Sequence, residues 1–363
     1  MSGKKRILVC PMDWGLGHAT RIVPIIELLQ KMGAEPVLGA DNKPLAFLRQ
    51  RFPDLDWIRI PGFEPEYQKK GSLSVKMAAS IPKMMKEAAR AHELLEKLIA
   101  NRHIDAVISD NRYELWSGRV PTVFMTHQLN ILLTGIFSSG RPVVRKMINN
   151  FIIKHDELWI PDFKGEPNLS GKLSHVLKMP LENNFFIGPL SRFEGKISKE
   201  TTKKDIDVLC LLSGPEPQRT IFENILIKQL MYSGLKTIIL SGKPDAAEKK
   251  AQHLVEVRSH AEDKEMLSLL QSAKTVICRS GYSSIMDLVT LGKKAIFVPT
   301  PGQPEQEYLA KKFKSEGIYY SCNQKEFSLE KALKASEKYN GWHLTNDYGL
   351  LKKRIKALLE KIS

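Results

Sequence analysis

Short apolar runs alternate with longer segments of helical spacing almost from one end of this chain to the other. The first half reads "RILVC", a helix over 19–32, "EPVLGA", a helix over 44–51, "DWIRI", a long helical stretch over 74–101, "DAVISD" and "PTVFMT". A second series starts at "DVLCLLS" and runs through a helix over 217–233, "KTIILSG", a helix over 263–272, "TVICRS", a helix over 282–291 and "KAIFVP". Where strands and helices alternate, each helix carries the chain back to begin the next strand in the same direction, so the strands pair in parallel. The pattern predicts an α/β protein built from two doubly wound, Rossmann-like domains. Between the two series, "NNFFIGPLSRFEGKISKETTKKD" replaces apolar patterning with glycine, proline and charge, as domain connections do. The expected division is 1–195, 196–345 and a C-terminal helix over 346–363. The basic amphipathic sequence "GLLKKRIKALLEKIS" suits a helix that packs back on the N-terminal domain.

The chain's 363 residues are enough for two full cores. It has no apolar stretch long enough to span a bilayer and no export signal after "MSGKKR", so a cytoplasmic protein is expected. Cys10, Cys210, Cys278 and Cys322 form no CxxC pair, and three of them lie in strand-like runs, which reads as buried reduced thiols. A net charge of +15 attracts polyanions of any kind. Zinc-finger spacing and nucleic-acid signatures are absent, which argues against specific nucleic-acid recognition. The blocks of apolar and basic residues in "LNILLTGIFSSGRPVVRKMINNFIIKH", residues 129–155, suit a peripheral contact with an anionic membrane.

The stretch "PMDWGLGHATR" places Gly15, Gly17 and His18 between the first strand and the first helix. Glycines there allow close approach of a ligand, and a helix N-terminus offers N–H groups to an anion. A dinucleotide site is the rival reading, with Asp41 as the ribose-binding acid, but Thr20 stands where the third glycine of GxGxxG belongs. His18 is a candidate general base, because a helix N-terminus favours the neutral imidazole, and Asp13 is a second candidate. Asp110, Asn111 and Arg112 follow one strand, and His127 and Gln128 another, at the ends where α/β sites are built. With Gly15 and Gly17 they are the candidate acceptor-side residues.

In the second half, "VICRSGYSSIMDLVTLGKKAIFVPTPGQPEQEYLA", residues 276–310, resembles the donor-binding motif of GT-B glycosyltransferases. It is most similar to the family of the peptidoglycan enzyme that adds N-acetylglucosamine to a lipid-linked muramyl pentapeptide. "DWGLGHATR", "SDNRY" and "THQL" resemble an uncharacterised bacterial branch of such proteins, and "FIGPLSRF" resembles its interdomain linker. The resemblance implies two domains facing a cleft, with an acceptor on the first and a nucleotide diphosphate sugar, such as a UDP-sugar, on the second. It implies donor contacts from Arg279, Ser280, Gly281, Tyr282, Ser283, Asp287, Glu305 and Gln306. A loop at "LLSGPEPQRT" adds Ser213, Gly214 and Gln218, although Pro215 and Pro217 remove backbone donors there. His260 and Met266 are implied beside the base.

The resemblance implies inverting transfer to the hydroxyl of a lipid-linked acceptor, with helix dipoles and Arg279 meeting the leaving diphosphate. No metal or other cofactor is required on this reading. The DxD strings Asp54-Leu55-Asp56 and Asp205-Ile206-Asp207 precede strands, whereas a metal-diphosphate site belongs after one. A non-hydrolysing nucleotide-sugar epimerase and a catalytically silent nucleotide-sugar-binding protein are the alternatives.

Overall fold

The computed structural model describes residues 4–62, 73–132, 140–196, 204–243, 250–343 and 349–362. The chain divides into two units, the first made of residues 1–190 with 346–363 and the second of residues 191–345.

In the first unit, β1 (Arg6–Pro11) is buried at every position after Arg6, as a strand covered on both faces must be. It lies inside a seven-stranded sheet with β2 (Glu35–Ala40), β3 (Trp57–Arg59), β4 (Ala106–Asp110), β5 (Thr122–Met125), β6 (Glu157–Ile160) and β7 (Asn184–Phe186). The order is β3-β2-β1-β4-β5-β6-β7 and every pairing is parallel. The helices are α1 (Leu16–Lys31), α2 (Asn42–Arg51), α3 (Leu73–Arg102) and α4 (Arg141–Ile152). Leu8 and Val37 from the strands pack with Leu95 and Ile99 of α3 in one apolar cluster. Phe124, Leu158 and Ile160 pack with Ile148 and Ile152 of α4 in another.

Register positions the chemistry. Pro11 lies beside Asp110, and Asp110 beside Met125, so the loops after β1, β4 and β5 leave the sheet at one edge.

The second unit repeats the plan with β8 (Ile206–Leu211), β9 (Thr237–Leu240), β10 (Lys250–Gln252), β11 (Val255–Arg258), β12 (Ala273–Cys278), β13 (Ala295–Phe297) and β14 (Tyr320–Ser321). Its order is β10-β11-β9-β8-β12-β13-β14, parallel except for the β10–β11 hairpin. Its helices are α5 (Gln218–Leu230), α6 (Asp263–Ser272), α7 (Tyr282–Thr290), α8 (Pro304–Ser315) and α9 (Leu329–Ser336). Cys278 pairs with Leu211 on one side and Phe297 on the other, so the loops after β8, β12 and β13 also emerge together.

The division between units falls at 190/191, a few residues before the sequence-based boundary, and side-chain bonds explain why. Ser191 Oγ donates to Asp287 at 2.6 Å and Arg192 pairs with Asp263 at 2.8 Å, so this end of the linker belongs to the second unit. Helix α10 (Gly349–Lys361) belongs to the first unit. It buries Leu351, Ile355 and Leu358, and its Arg354 and Lys361 donate to the buried Glu157 of β6 at 3.1 and 2.8 Å. Cys10, Cys210 and Cys278 are buried free thiols in β1, β8 and β12, and burial pushes each thiol well above its usual value.

Candidate functional site

At the strand ends of the first unit, one buried ion pair organises two histidines. Helix α1 begins at Leu16, so Gly17 and His18 lie within its first turn and not in the preceding loop as the sequence suggested. Gly15 alone supplies the unusual backbone, with φ 71°. His18 Nδ1 lies 2.9 Å from Asp110 Oδ2. Arg21, one turn further along α1, grips the same carboxylate with two nitrogens, its Nε donating to Oδ2 at 2.6 Å and its Nη2 to Oδ1. The third guanidinium nitrogen, Nη1, lies 2.9 Å from His127 Nδ1. Asp110 is fully buried and Arg21 nearly so. Burial alone would raise Asp110, but Arg21 and His18 outweigh it and hold the carboxyl at about 2. An ionised carboxylate only accepts, so His18 carries its proton on Nδ1 and keeps the lone pair on Nε2. Burial and the Arg21 cation lower the His18 pKa, against the pull of Asp110. The lowered pKa favours the neutral ring, and the Nδ1–H bond to Asp110 leaves Nε2 as its acceptor atom.

Asp13, the other candidate base, is held by two donors of the chain. Its Oδ1 accepts from the Asp41 backbone N–H at 3.0 Å and its Oδ2 from Arg112 Nη1 at 3.0 Å. Burial raises Asp13 to about 6, with Arg112 opposing. Arg112 also donates to Glu114 and to the carbonyls of Ile60 and Pro61, and at 3% exposure it ties loops together instead of facing an acceptor. The chain passes so close that a Cβ on Gly62 would lie 2.1 Å from Asp13 Oδ2, and a larger residue there would displace that carboxylate. Asp41 caps α2 and pairs with Arg59 at 2.6 Å, so it is not held ready for a ribose. Asn111 takes a left-handed backbone at φ 56°, and its buried Oδ1 has no hydrogen-bond partner among the described residues. The Gln128 backbone N–H donates to Thr126 Oγ1 at 2.9 Å, which fixes the turn after β5.

In the second unit several of the expected donor-contact residues have partners within the unit itself. Arg279 is 1% exposed and its guanidinium serves oxygens of the unit itself: Val298 O at 2.9 Å, Pro299 O at 3.3 Å, Gln218 O at 3.0 Å and Gln324 Oε1 at 2.7 Å. It pins the loops after β12 and β13 to the start of α5. Asp287 accepts from Ser191 and pairs with Arg192, so its carboxylate anchors the linker and is not held out to a ribose. Tyr282 is buried. Gln306 folds onto its own loop, accepting from Thr300 N at 2.9 Å and donating to Gln303 Oε1 at 2.5 Å. Ser280 is buried with its hydroxyl on the Gln306 carbonyl at 2.7 Å. Gln218 accepts from Gln324 Nε2 at 2.9 Å.

Other candidates stand at the strand-end loops. Gly281 caps α7, no side chain caps that helix, and its first turn holds no acid. The half-exposed Ser283 lies in that turn, and the half-buried Glu305 in the first turn of α8. Ser213 and Gly214 are exposed. By contrast, the start of α5 is closed by Glu216, which accepts from both the backbone N–H and the hydroxyl of Thr220. That carboxylate disfavours a phosphate at α5 and leaves α7 as the better anion position of the two. His260 is exposed beside Ser259, and Met266 is half-buried on α6. Among the described residues, no group of three or more His, Cys, Asp or Glu side chains could hold a metal ion.

Comparison with known proteins agrees with this architecture. Residues 218–346 match the glycosyltransferase family 28 C-terminal domain. An uncharacterised glycosyltransferase of Methanosarcina acetivorans is 24% identical over 86% of this chain and 84% of its own length. The UDP-N-acetylglucosamine–N-acetylmuramyl-(pentapeptide) pyrophosphoryl-undecaprenol N-acetylglucosamine transferase of a Sulfurihydrogenibium species is 29% identical over 44% of each chain. Among solved structures, the glycotransferase of kitacinnamycin superposes with a TM-score of 0.65 at 13% identity, over 99% of this chain and 95% of that one. The chain is a GT-B glycosyltransferase. The uncharacterised relatives that span this glycosyltransferase are archaeal, where the sequence motifs had suggested a bacterial branch.

Sequence reasoning missed Arg21, although it stands inside the quoted loop motif. The available signal was its spacing: a basic residue three positions after His18 lies on the same helix face.

Proposed function

We propose that this glycosyltransferase inverts the sugar it transfers, taking it from a nucleotide diphosphate donor and giving it to an acceptor hydroxyl with His18 as general base. The observation that carries this reading is the His18–Asp110 pair, because it leaves a lone pair on Nε2 of a neutral ring. The acceptor O–H gives its proton to Nε2 as its oxygen bonds to the anomeric carbon, and the bond from that carbon to the diphosphate oxygen breaks. Asp110 then stabilises the imidazolium. The N-terminus of α7, with Gly281 and Ser283, receives the diphosphate, and its dipole meets the charge that leaves without need of a metal. A uridine nucleotide is the first donor to test, since the printed name of the Sulfurihydrogenibium relative specifies one.

A thermal-shift panel of nucleotide diphosphates and their sugars tests the donor site, because a ligand that binds only the folded state raises the melting temperature. Stabilisation by one nucleotide series, weakened by change at Gly281 or Ser283, supports the reading. No shift with any of them, against a marked shift with dinucleotides, overturns it. Epimerisation of donor sugar without any acceptor would mark an epimerase, a reading the family match does not favour.

A second proposal concerns location. No helix among the described residues is long and apolar enough to cross a membrane. On and just after α4, however, Val143, Met147 and Ile153 are exposed beside exposed Arg141, Lys146 and Lys154. Residues 133–139 of the sequence-based membrane segment lie outside the described residues. We propose that this surface rests on anionic lipid and meets a lipid-linked acceptor there. Co-sedimentation with anionic but not zwitterionic vesicles, lost on Val143→Asp, is the expected result. Binding to neither kind of vesicle overturns it.

A further inference from the structure

Arg21 has a role that neither the family match nor the base assignment supplies. Its guanidinium has donors only and no lone pair to accept with. Nη1 lies 2.9 Å from His127 Nδ1, so that nitrogen must be the bare one, and the proton of the His127 ring sits on Nε2. On the other side, Nε and Nη2 grip Asp110, whose free acceptor capacity takes the Nδ1–H of His18. One buried cation and one buried carboxylate therefore impose opposite tautomers on two rings that the fold brings to the same sheet edge.

We propose that Arg21 is a positioning residue that sets His18 and His127 in opposite tautomers, so that His18 offers a lone pair at Nε2 and His127 an N–H. The proposal rests on the reading of His18 as the base, and it deepens it. A lone pair suits the hydroxyl that loses its proton, whereas an N–H suits an oxygen. The arrangement needs arginine: a lysine ammonium is a single point and cannot hold both carboxylate oxygens and an imidazole in one plane. Packing reinforces it, because Arg21 is 2% and His127 4% exposed and neither can swing to water.

The charged and titratable groups facing His18 are Asp110 from β4, Arg21 from its own helix and His127 from the turn after β5. Arg21 and Asp110 act on it in opposite directions, the cation favouring the neutral ring and the carboxylate the charged one. Removing each should therefore move His18 in opposite senses, which a merely structural role for Arg21 does not require.

The test is long-range proton–nitrogen NMR of the imidazoles in the full-length, 15N-labelled protein near neutral pH, with no substrate present. Nδ1–H on His18 together with Nε2–H on His127 is expected. Nδ1–H on His127 overturns the proposal with no variant needed. In Arg21→Met the His18 titration midpoint should move up, and in Asp110→Asn down. An unmoved midpoint in a folded Arg21→Met protein also overturns the proposal. Arg21→Lys should recover the midpoint but leave His127 exchanging between tautomers. If Arg21→Met does not fold, the wild-type tautomers and Arg21→Lys decide. In turnover, Arg21→Met should lower kcat at pH 7 by about tenfold or more with the donor KM unchanged, since the donor lies on the second unit. The expected tautomers in a protein that transfers no sugar would sink the base assignment and leave the Arg21 proposal standing.

Discussion

In the first unit the groups at the strand ends are hydrogen-bonded side chains around one ion pair, and partners lie 89 to 106 residues apart in sequence. In the second, the candidate ligand groups are backbone and small side chains within single loops, and the one arginine among them is turned inward. The difference separates two tasks. A base must be held in one protonation state, which takes buried partners with fixed charge. A diphosphate needs several weak donors and room to approach, which a glycine-serine turn at a helix start provides without buried charge.

His18→Ala breaks the comparison at its strongest point. Turnover should fall by about a thousandfold, within the range of general-base loss, while nucleotide affinity stays as it was. Full turnover in a steady-state assay would remove His18 from the chemistry. Arg279→Met is expected to act on stability instead, by about 3 kcal/mol, because it strands several buried oxygens and empties the space beside Phe222. A normal denaturation midpoint with lost nucleotide binding would mean that Arg279 reaches the donor after all.

Asp13→Asn sharpens the contrast within the first unit. The folded-state Asp13 pKa of about 6 lies above its ordinary value, so the folded protein holds that proton more tightly than the unfolded chain does. The stability this contributes is complete below about pH 4 and is lost as pH rises through 6. Asp13→Asn should thus match the wild type at pH 4 and exceed it at pH 8 by at most about 3 kcal/mol. Glu114 remains to pair with Arg112 in the variant. Urea titrations at the two pH values check this, and a variant weaker at pH 8 would show that the Arg112 pairing outweighs the burial.

Gly281→Ala is the mildest change. Its φ of −74° is ordinary and an added Cβ meets no atom within 4 Å, so folding should shift by no more than about 0.5 kcal/mol. A diphosphate seated on α7 would meet that methyl, and nucleotide affinity should drop by roughly tenfold, about 1.4 kcal/mol. Unchanged affinity by calorimetry would place the diphosphate elsewhere.

The same contrast explains what could be read before the fold was known. Alternating periods announced both sheets, because most central strands are continuous apolar runs that lead into a helix. Short strands escaped notice: β6, β7, β10, β11 and β14 are two to four residues long and carry too little pattern to register. The loop motif after β12 was legible because its parts are contiguous, and the family match to residues 218–346 rests on the same half. The partners of its charged residues were not. Nothing near Arg279 or Asp287 in sequence indicates that one is buried among carbonyls and the other tied to Ser191 and Arg192, since those contacts come from packing. Asp110 and His127 were found by their place at strand ends, whereas the ion pair joining them to His18 depends on the register of β1, β4 and β5.

Helix α10 returns to the first unit after the chain has passed through all of the second. In covalent terms the second unit is an insertion, with both of its ends joined to the first. On the ribosome, residues 1–190 emerge first yet lack Leu351, Ile355, Leu358 and the partners of Glu157 until residues 191–345 have been made. At ordinary rates of synthesis that interval is roughly ten to thirty seconds. During it the Glu157 carboxylate waits without Arg354 and Lys361, and the unit that is translated first is the last to be completed.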